Sequence, residues 1–120
     1  MPRRAAAGDL SLQAALQRLG ARRVEATLVA ALSELGPLGT RDIVERTGLR
    51  QPEVSVGMQV LRSRDWVAAE AIPREGKGRP MHRYRLSVPA ATVRRHYEAL
   101  AKESIAGIEA AADVVRKRLG

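Results

Sequence analysis

From Pro89 to Leu119 the chain runs for some 31 residues with no interior proline, and its apolar residues return every third or fourth position. Val93, Tyr97, Leu100 or Ala101, Ile105, Ile108, Ala112, Val115 and Leu119 form one stripe at helical spacing. At ~1.5 Å per residue such a helix is ~46 Å long, which outreaches a compact domain of this size. Gly107 and the many alanines predict a close-packed seam rather than a leucine zipper. An exposed apolar seam is unusual on a monomer, so the stripe predicts a homodimer, helped by residues 9 to 19 through Leu12 and Leu16.

Composition supports the need for a partner. The 120 residues include only three aromatics (Trp66, Tyr84 and Tyr97) and no Phe, so the core has to be built from Leu, Val, Ile and Ala. A core of that kind in one small domain is thin. The absence of Cys excludes disulfides, iron–sulfur clusters and thiol catalysis. No apolar run approaches the roughly 18 to 20 residues that span a bilayer. The start, "MPRRAAAGDL", has basic residues but no apolar stretch of the secretory kind, so a cytoplasmic protein is expected. A formal net charge of +8 points to anionic partners, with nucleic acid first and a membrane surface or acidic protein second.

The organisation reads as a basic arm over 1–8, a domain over 9–88 and the long helix over 89–120. Asp9 is a plausible cap for a first helix carrying Leu10, Leu12, Leu16 and Leu19, which stops at Gly20. A second helix is predicted over 21–35, its stripe made by Val24, Leu28, Ala31, Leu32 and Leu35 and its end marked by Gly36-Pro37. Thr40 can cap a short helix that closes at Gly48, and Gln51-Pro52 opens another that ends near residues 63–65. Residues 66–72 and 81–86 read as two strands joined by a turn over 73–80. The fold class expected is therefore mainly α with a small β-hairpin.

Two short helices joined through Gly48-Leu49-Arg50 have the spacing of a helix-turn-helix, in which the second helix enters a major groove through its N-terminal residues. Directly after it, residues 74 to 85 carry Arg74, Lys77, Arg79, Arg83 and Arg85 against Glu75 alone, +5 and −1. Half of the net charge thus sits in a tenth of the length. Charge runs are commonly solvated faces, but beside this pattern a hairpin reaching a DNA backbone or minor groove is the stronger reading.

The stretch "LGARRVEATLVAALSELGPLGTRDIVERTGLRQPEVSVGMQVLRSRDWV" resembles the winged helix-turn-helix of the TrmB-type and MarR/ArsR-type prokaryotic regulators. The shared features are "LG…EA…L..L…G", "T..IVE.TGL" and "V…M..L" followed by a strand. "GKGRPMHRYRLS" is similar to the Gly-Arg-Pro wing and Tyr-containing return strand of that group. The resemblance covers residues 19 to 88. It implies an archaeal source and small relatives that dimerise through terminal helices. Larger TrmB-type proteins carry a sugar-binding domain after the coiled coil; this chain ends at Gly120, so sugar sensing is not carried over. Many relatives have a polar residue where Val56 and Gly57 stand, which leaves this recognition helix weakly basic.

Helix geometry assigns the residue roles. Val54, Met58 and Leu61 point inward, while Gln51, Glu53, Ser55, Val56, Gln59 and Arg62 lie on the outward side, with Arg50 at the turn. Gln can pair with adenine, Glu can accept from cytosine, and Val can touch a thymine methyl. Arg74, Lys77, Arg79 and Arg83 are the wing candidates, and Thr40 and Arg41 the candidates for backbone contact. Arg3 and Arg4 read as a disordered tail, with a minor-groove arm as the alternative. His82 and His96 lack neighbours at metal-ligand spacing, so neither a metal nor a cofactor is expected. No nucleophile set, phosphate loop or paired-carboxylate motif suggests an enzyme. The expected function is a homodimeric, sequence-specific regulator of transcription that binds double-stranded DNA in the nucleoid. Two alternatives stay open: a chromatin-architectural protein with little sequence preference, and a protein-interaction module that never touches DNA. The sequence names no small-molecule effector.

Overall fold

A computed structural model describes residues 10–72 and 81–120. The element order is α1 (Leu12–Arg18), α2 (Arg23–Leu35), β1 (Leu38–Gly39), α3 (Thr40–Thr47), α4 (Gln51–Ser63), β2 (Val67–Ile72), β3 (Met81–Leu86) and α5 (Ala90–Leu119). The chain is mainly helical, with a small three-stranded antiparallel sheet and a long C-terminal helix.

Helix α1 starts at Ser11, whose hydroxyl accepts from the Ala14 N–H at 3.0 Å and satisfies one of the free donors of the first turn. Asp9, the cap expected from sequence, lies outside the described residues. Helix α2 begins two residues later than expected because Arg22 is extended (φ −71°, ψ 152°). It is the central element, buried from Glu25 to Ala30, and ends at Gly36, whose φ of 81° suits only glycine without strain. Leu35, predicted on its inward stripe, is 49% exposed, since the helix is already leaving the core there.

Helix α3 is preceded by Gly39 rather than capped by Thr40, which is its first helical residue. It stops at Gly48 (φ 74°), and the chain turns through Leu49, which is buried. Helix α4 packs Val54, Gly57, Met58 and Leu61 inward. Val60 is exposed. The two-residue strand β1 had no sequence signal. It pairs with β3 (Leu38 opposite Tyr84, Gly39 opposite Arg83) and gives the sheet order β1-β3-β2. Strands β2 and β3 pair from Val67 opposite Leu86 to Ile72 opposite Met81. The predicted turn over 73–80 lies outside the described residues.

The core joins Ala26, Leu28, Val29 and Leu32 of α2 to Ile43, Leu49, Val54, Met58, Leu61, Trp66 and Val67. Leu16, Val93 and Tyr97 belong to the same core. All three were expected on the dimer seam; they are buried within the protomer and, with Leu12, line an apolar groove of about 540 Å³ between α1 and α5. With so few large side chains available, the first two turns of α5 and the middle of α1 are used to close the protomer's own interior. Leu100, also assigned to the seam, is half-buried and lies against the corner at Gly20, where an added Cβ would stand 2.9 Å from its Cδ2. Beyond residue 101 the helix leaves the domain, and the molecule measures 73 × 36 × 26 Å.

Candidate nucleic-acid interface

The outward face of α4 carries two parallel rows. Gln51, Ser55 and Gln59 recur at intervals of four residues, with Arg62 continuing the polar row, and all four are exposed. One position further round, Pro52, Val56 and Val60 form an apolar row, also exposed, with Val56 at 62%. Behind these rows the helix is pressed against α2. A Cβ added to Gly57 would lie 2.5 Å from Leu28 Cδ1 and 2.8 Å from Val24 Cγ1, so the bare glycine is what lets the two helices approach. That settles why a glycine interrupts this helix: a neighbouring helix occupies the space.

Glu53 departs from the sequence expectation. Its Oε1 accepts from the Arg50 backbone N–H at 3.0 Å, closing the first turn of α4, and its Oε2 is ion-paired with Arg23 at the start of α2. The Arg50 N–H, and then the Arg23 guanidinium, hold this carboxyl below its ordinary pKa. Each carboxylate oxygen therefore already accepts within the chain, which holds Glu53 in place and leaves it less free to accept from a cytosine amine. The pairing spans 30 residues, so no local pattern announced it.

Thr40 and Arg41 come together with Gln51 and His82 around one concavity of about 510 Å³ between α3, the start of α4 and β3. Thr40 is half-buried there; Arg41 is exposed and loosely paired with Glu45 at 3.4 Å. A second groove, of about 740 Å³, runs between the start of α2 and α4, with Val56 and Val60 on its wall and Arg22, Arg23 and Arg64 along it. Arg22 was not singled out by sequence reasoning.

Of the basic hairpin, Arg74, Lys77 and Arg79 lie outside the described residues, as do Arg3 and Arg4. Arg83 stands opposite Glu70 in the register and donates to its Oε1 from both Nε (3.0 Å) and Nη2 (2.8 Å). Its charge is thus partly spent across the strands. Arg85, opposite Ala68, is exposed and has no acidic partner among the described residues.

A buried cluster ties this surface to the long helix. Tyr97 of α5 donates its hydroxyl to Glu25 Oε2 of α2 at 2.8 Å. Arg64, at the end of α4, brings Nη1 to 2.7 Å from Glu25 Oε1, an ion pair without the alignment of a hydrogen bond. The Arg64 guanidinium also lies 5.0 Å from the centre of the Trp66 ring, and His96 and Tyr97 meet that ring edge-on. Burial, and then the hydrogen bond to Glu25, push the Tyr97 hydroxyl well above its ordinary pKa.

Along α5 beyond the domain, Ile105, Ile108, Val115 and Leu119 are exposed at 57, 69, 54 and 82%, and Ala112 is half-buried. Leu12, on α1, is 37% exposed. These remain from the predicted seam once Leu16, Val93 and Tyr97 are assigned to the core. Among the described residues there is no group of His, Asp and Glu able to hold a metal ion, and no helix long and apolar enough to cross a membrane. No protein-family model matches the chain, and no curated protein matches it.

Proposed function

We propose that this chain is a homodimeric winged helix-turn-helix protein that binds double-stranded DNA and regulates transcription. In this reading α3 and α4 are the helix-turn-helix, β2 and β3 with the basic segment between them are the wing, and α5 is the dimerisation helix. The observation that carries the reading is the α4 face. Gln51, Ser55, Val56, Gln59 and Arg62 stand outward on a helix whose opposite side is locked into the core, and Thr40 and Arg41 share a concavity with Gln51. A helix held in this way can lie in a major groove while the flanking basic hairpin meets the adjacent backbone. The net charge of +8 supplies the attraction to a polyanion.

Dimerisation follows from the exposed stripe over residues 105–119, which a second copy would cover. Two-fold symmetry then presents two α4 helices to one duplex, and occupancy of a site near a promoter would occlude or recruit the transcription machinery. The Tyr97–Glu25–Arg64 cluster would hold the dimer helix and the DNA-binding helices in one rigid relation.

One observation favours a second reading. With Glu53 and Arg83 paired internally, the charged groups left on the outward face of α4 are Arg50 and Arg62, at its two ends. A chromatin-architectural protein with little sequence preference fits that restraint. Selection of genomic fragments by the purified protein, with an Arg79→Ala, Lys77→Ala control, separates the two. A shared sequence among bound fragments supports the regulator. Uniform coverage supports the architectural protein, and no retention at all defeats both.

A further inference from the structure

We infer that the DNA read by α4 is A·T-rich and that Val56 reads it by packing against thymine methyl groups. The inference rests on the DNA-binding reading above and deepens it.

The two rows of α4 are the starting point. An isolated apolar side chain on a surface requires no explanation, but Pro52, Val56 and Val60 recur every four residues on an exposed helix face. Val56 is the most open of the named large apolar side chains of this helix, at 62%. Nothing among the described residues covers it, and it lies in the first half of the helix, the part that enters a groove in a helix-turn-helix. Beside it, Gln51, Ser55 and Gln59 form the polar row.

In the major groove an A·T pair shows two features side by side. Adenine offers N7 as acceptor and its N6 amine as donor, which an amide side chain can meet with two hydrogen bonds. Thymine offers a methyl group, which needs an apolar contact. A row of amides and hydroxyls next to a row of aliphatic groups matches these two halves.

The groups that read a G·C pair are scarce on the same face. Guanine is met by Arg or Lys. On the outward face of α4 itself the basic residues are Arg62, near the far end, and Arg50, at the turn and 3.6 Å from Glu53; of the arginines in the groove beside Val56, Arg23 is paired with Glu53 and Arg64 with Glu25, which leaves Arg22. Cytosine is met by a carboxylate. The one available, Glu53, has both oxygens engaged, by the Arg50 N–H and by Arg23. The chemistry remaining on the open face therefore favours adenine and thymine.

The test compares alternating duplexes that differ only in the methyl group, each long enough for two half-sites ~10 base pairs apart. The pairs are A–T against A–U, and G–5-methylcytosine against G–C, measured at one fixed salt concentration because phosphate contacts dominate the total affinity. Wild type is expected to bind A–T tighter than A–U by about fourfold for each methyl contacted, the effect of burying roughly one methyl group. Val56→Ser, which puts a hydroxyl where the two methyls stood, should lose the preference for A–T over A–U. Val56 is exposed, so this variant keeps the folded protomer, and any effect of the missing methyl on the duplex itself is common to both proteins. Wild type should also prefer A–T to G–C, with 5-methylcytosine recovering part of the difference. Equal binding of A–T and A–U by wild type overturns the inference and leaves DNA binding intact. Failure to bind any of the four duplexes defeats the DNA-binding reading itself.

Discussion

Replacing Gly57 and Gly107 in turn by alanine should move stability in opposite directions. Both glycines lie inside helices, where alanine is favoured by ~1 kcal/mol. Around Gly107 no described residue of the protomer approaches a built Cβ within 4 Å, so Gly107→Ala should realise that gain when both glycine variants are compared as monomers, in an Ile108→Asp background. At Gly57 the same Cβ would stand 2.5 Å from Leu28 Cδ1 and 2.8 Å from Val24 Cγ1. Leu28 is fully buried and Val24 is β-branched, so neither can swing aside without disturbing the α2–α4 contact. Overpacking of this kind costs roughly 1 to 3 kcal/mol. The propensity gain is common to both sites, so the difference between the two variants isolates the packing cost at roughly 1 to 3 kcal/mol. Urea unfolding followed by circular dichroism measures it, as do midpoint temperatures, which shift by several degrees per kcal/mol in a chain of this size. Should Gly57→Ala stabilise as much as Gly107→Ala, α2 and α4 do not meet as described, and the outward face of α4 is wrongly assigned.

Tyr97→Phe removes the hydroxyl that donates to Glu25 while leaving Glu25 paired with Arg64, and should cost about 1.5 to 3 kcal/mol, the range for a hydrogen bond to a charged group. Because the folded state holds this phenol protonated above its ordinary pKa near 10, its contribution is complete below pH ~10 and is lost as pH rises further. The stability gap between wild type and Tyr97→Phe should therefore narrow above pH ~10; a gap that stays constant there contradicts the buried cluster. Ile108→Asp places a charge on the exposed stripe without touching the core, so sedimentation should show a folded monomer in place of a dimer. A dimer that persists at the same concentration would place the subunit contact elsewhere.

The helical plan was legible because it rests on local signals. Gly36 and Gly48 stop α2 and α3 at positive φ, Gln51-Pro52 opens α4, and the pattern after Pro89 has no breaker. The strand pair, expected over 66–72 and 81–86, was legible too, with β2 beginning one residue later at Val67. Distance in sequence hid the rest. Strand β1 is two residues long and exists only because β3 offers it a partner. Glu53 looks outward on a helical wheel, and only the fold brings Arg23 to it from 30 residues away. A single period of three and four runs the length of α5, yet its first turns face the protomer's own core and its later ones face solvent. Periodicity reports an apolar stripe and does not say what covers it. Gly57 illustrates the same limit, since close approach of DNA and of a second helix predict the same residue.

Of all these tests, a titration of duplex DNA with the intact protein across a range of salt concentrations bears most directly on the proposed function. If each dimer neutralises around 6 to 10 phosphates, affinity should fall by roughly 10³ to 10⁵ between 50 and 200 mM salt. Saturable binding with that steep dependence is the predicted result. No binding even at roughly 50 mM salt, where phosphate contacts are strongest, would contradict the assignment of this chain to DNA.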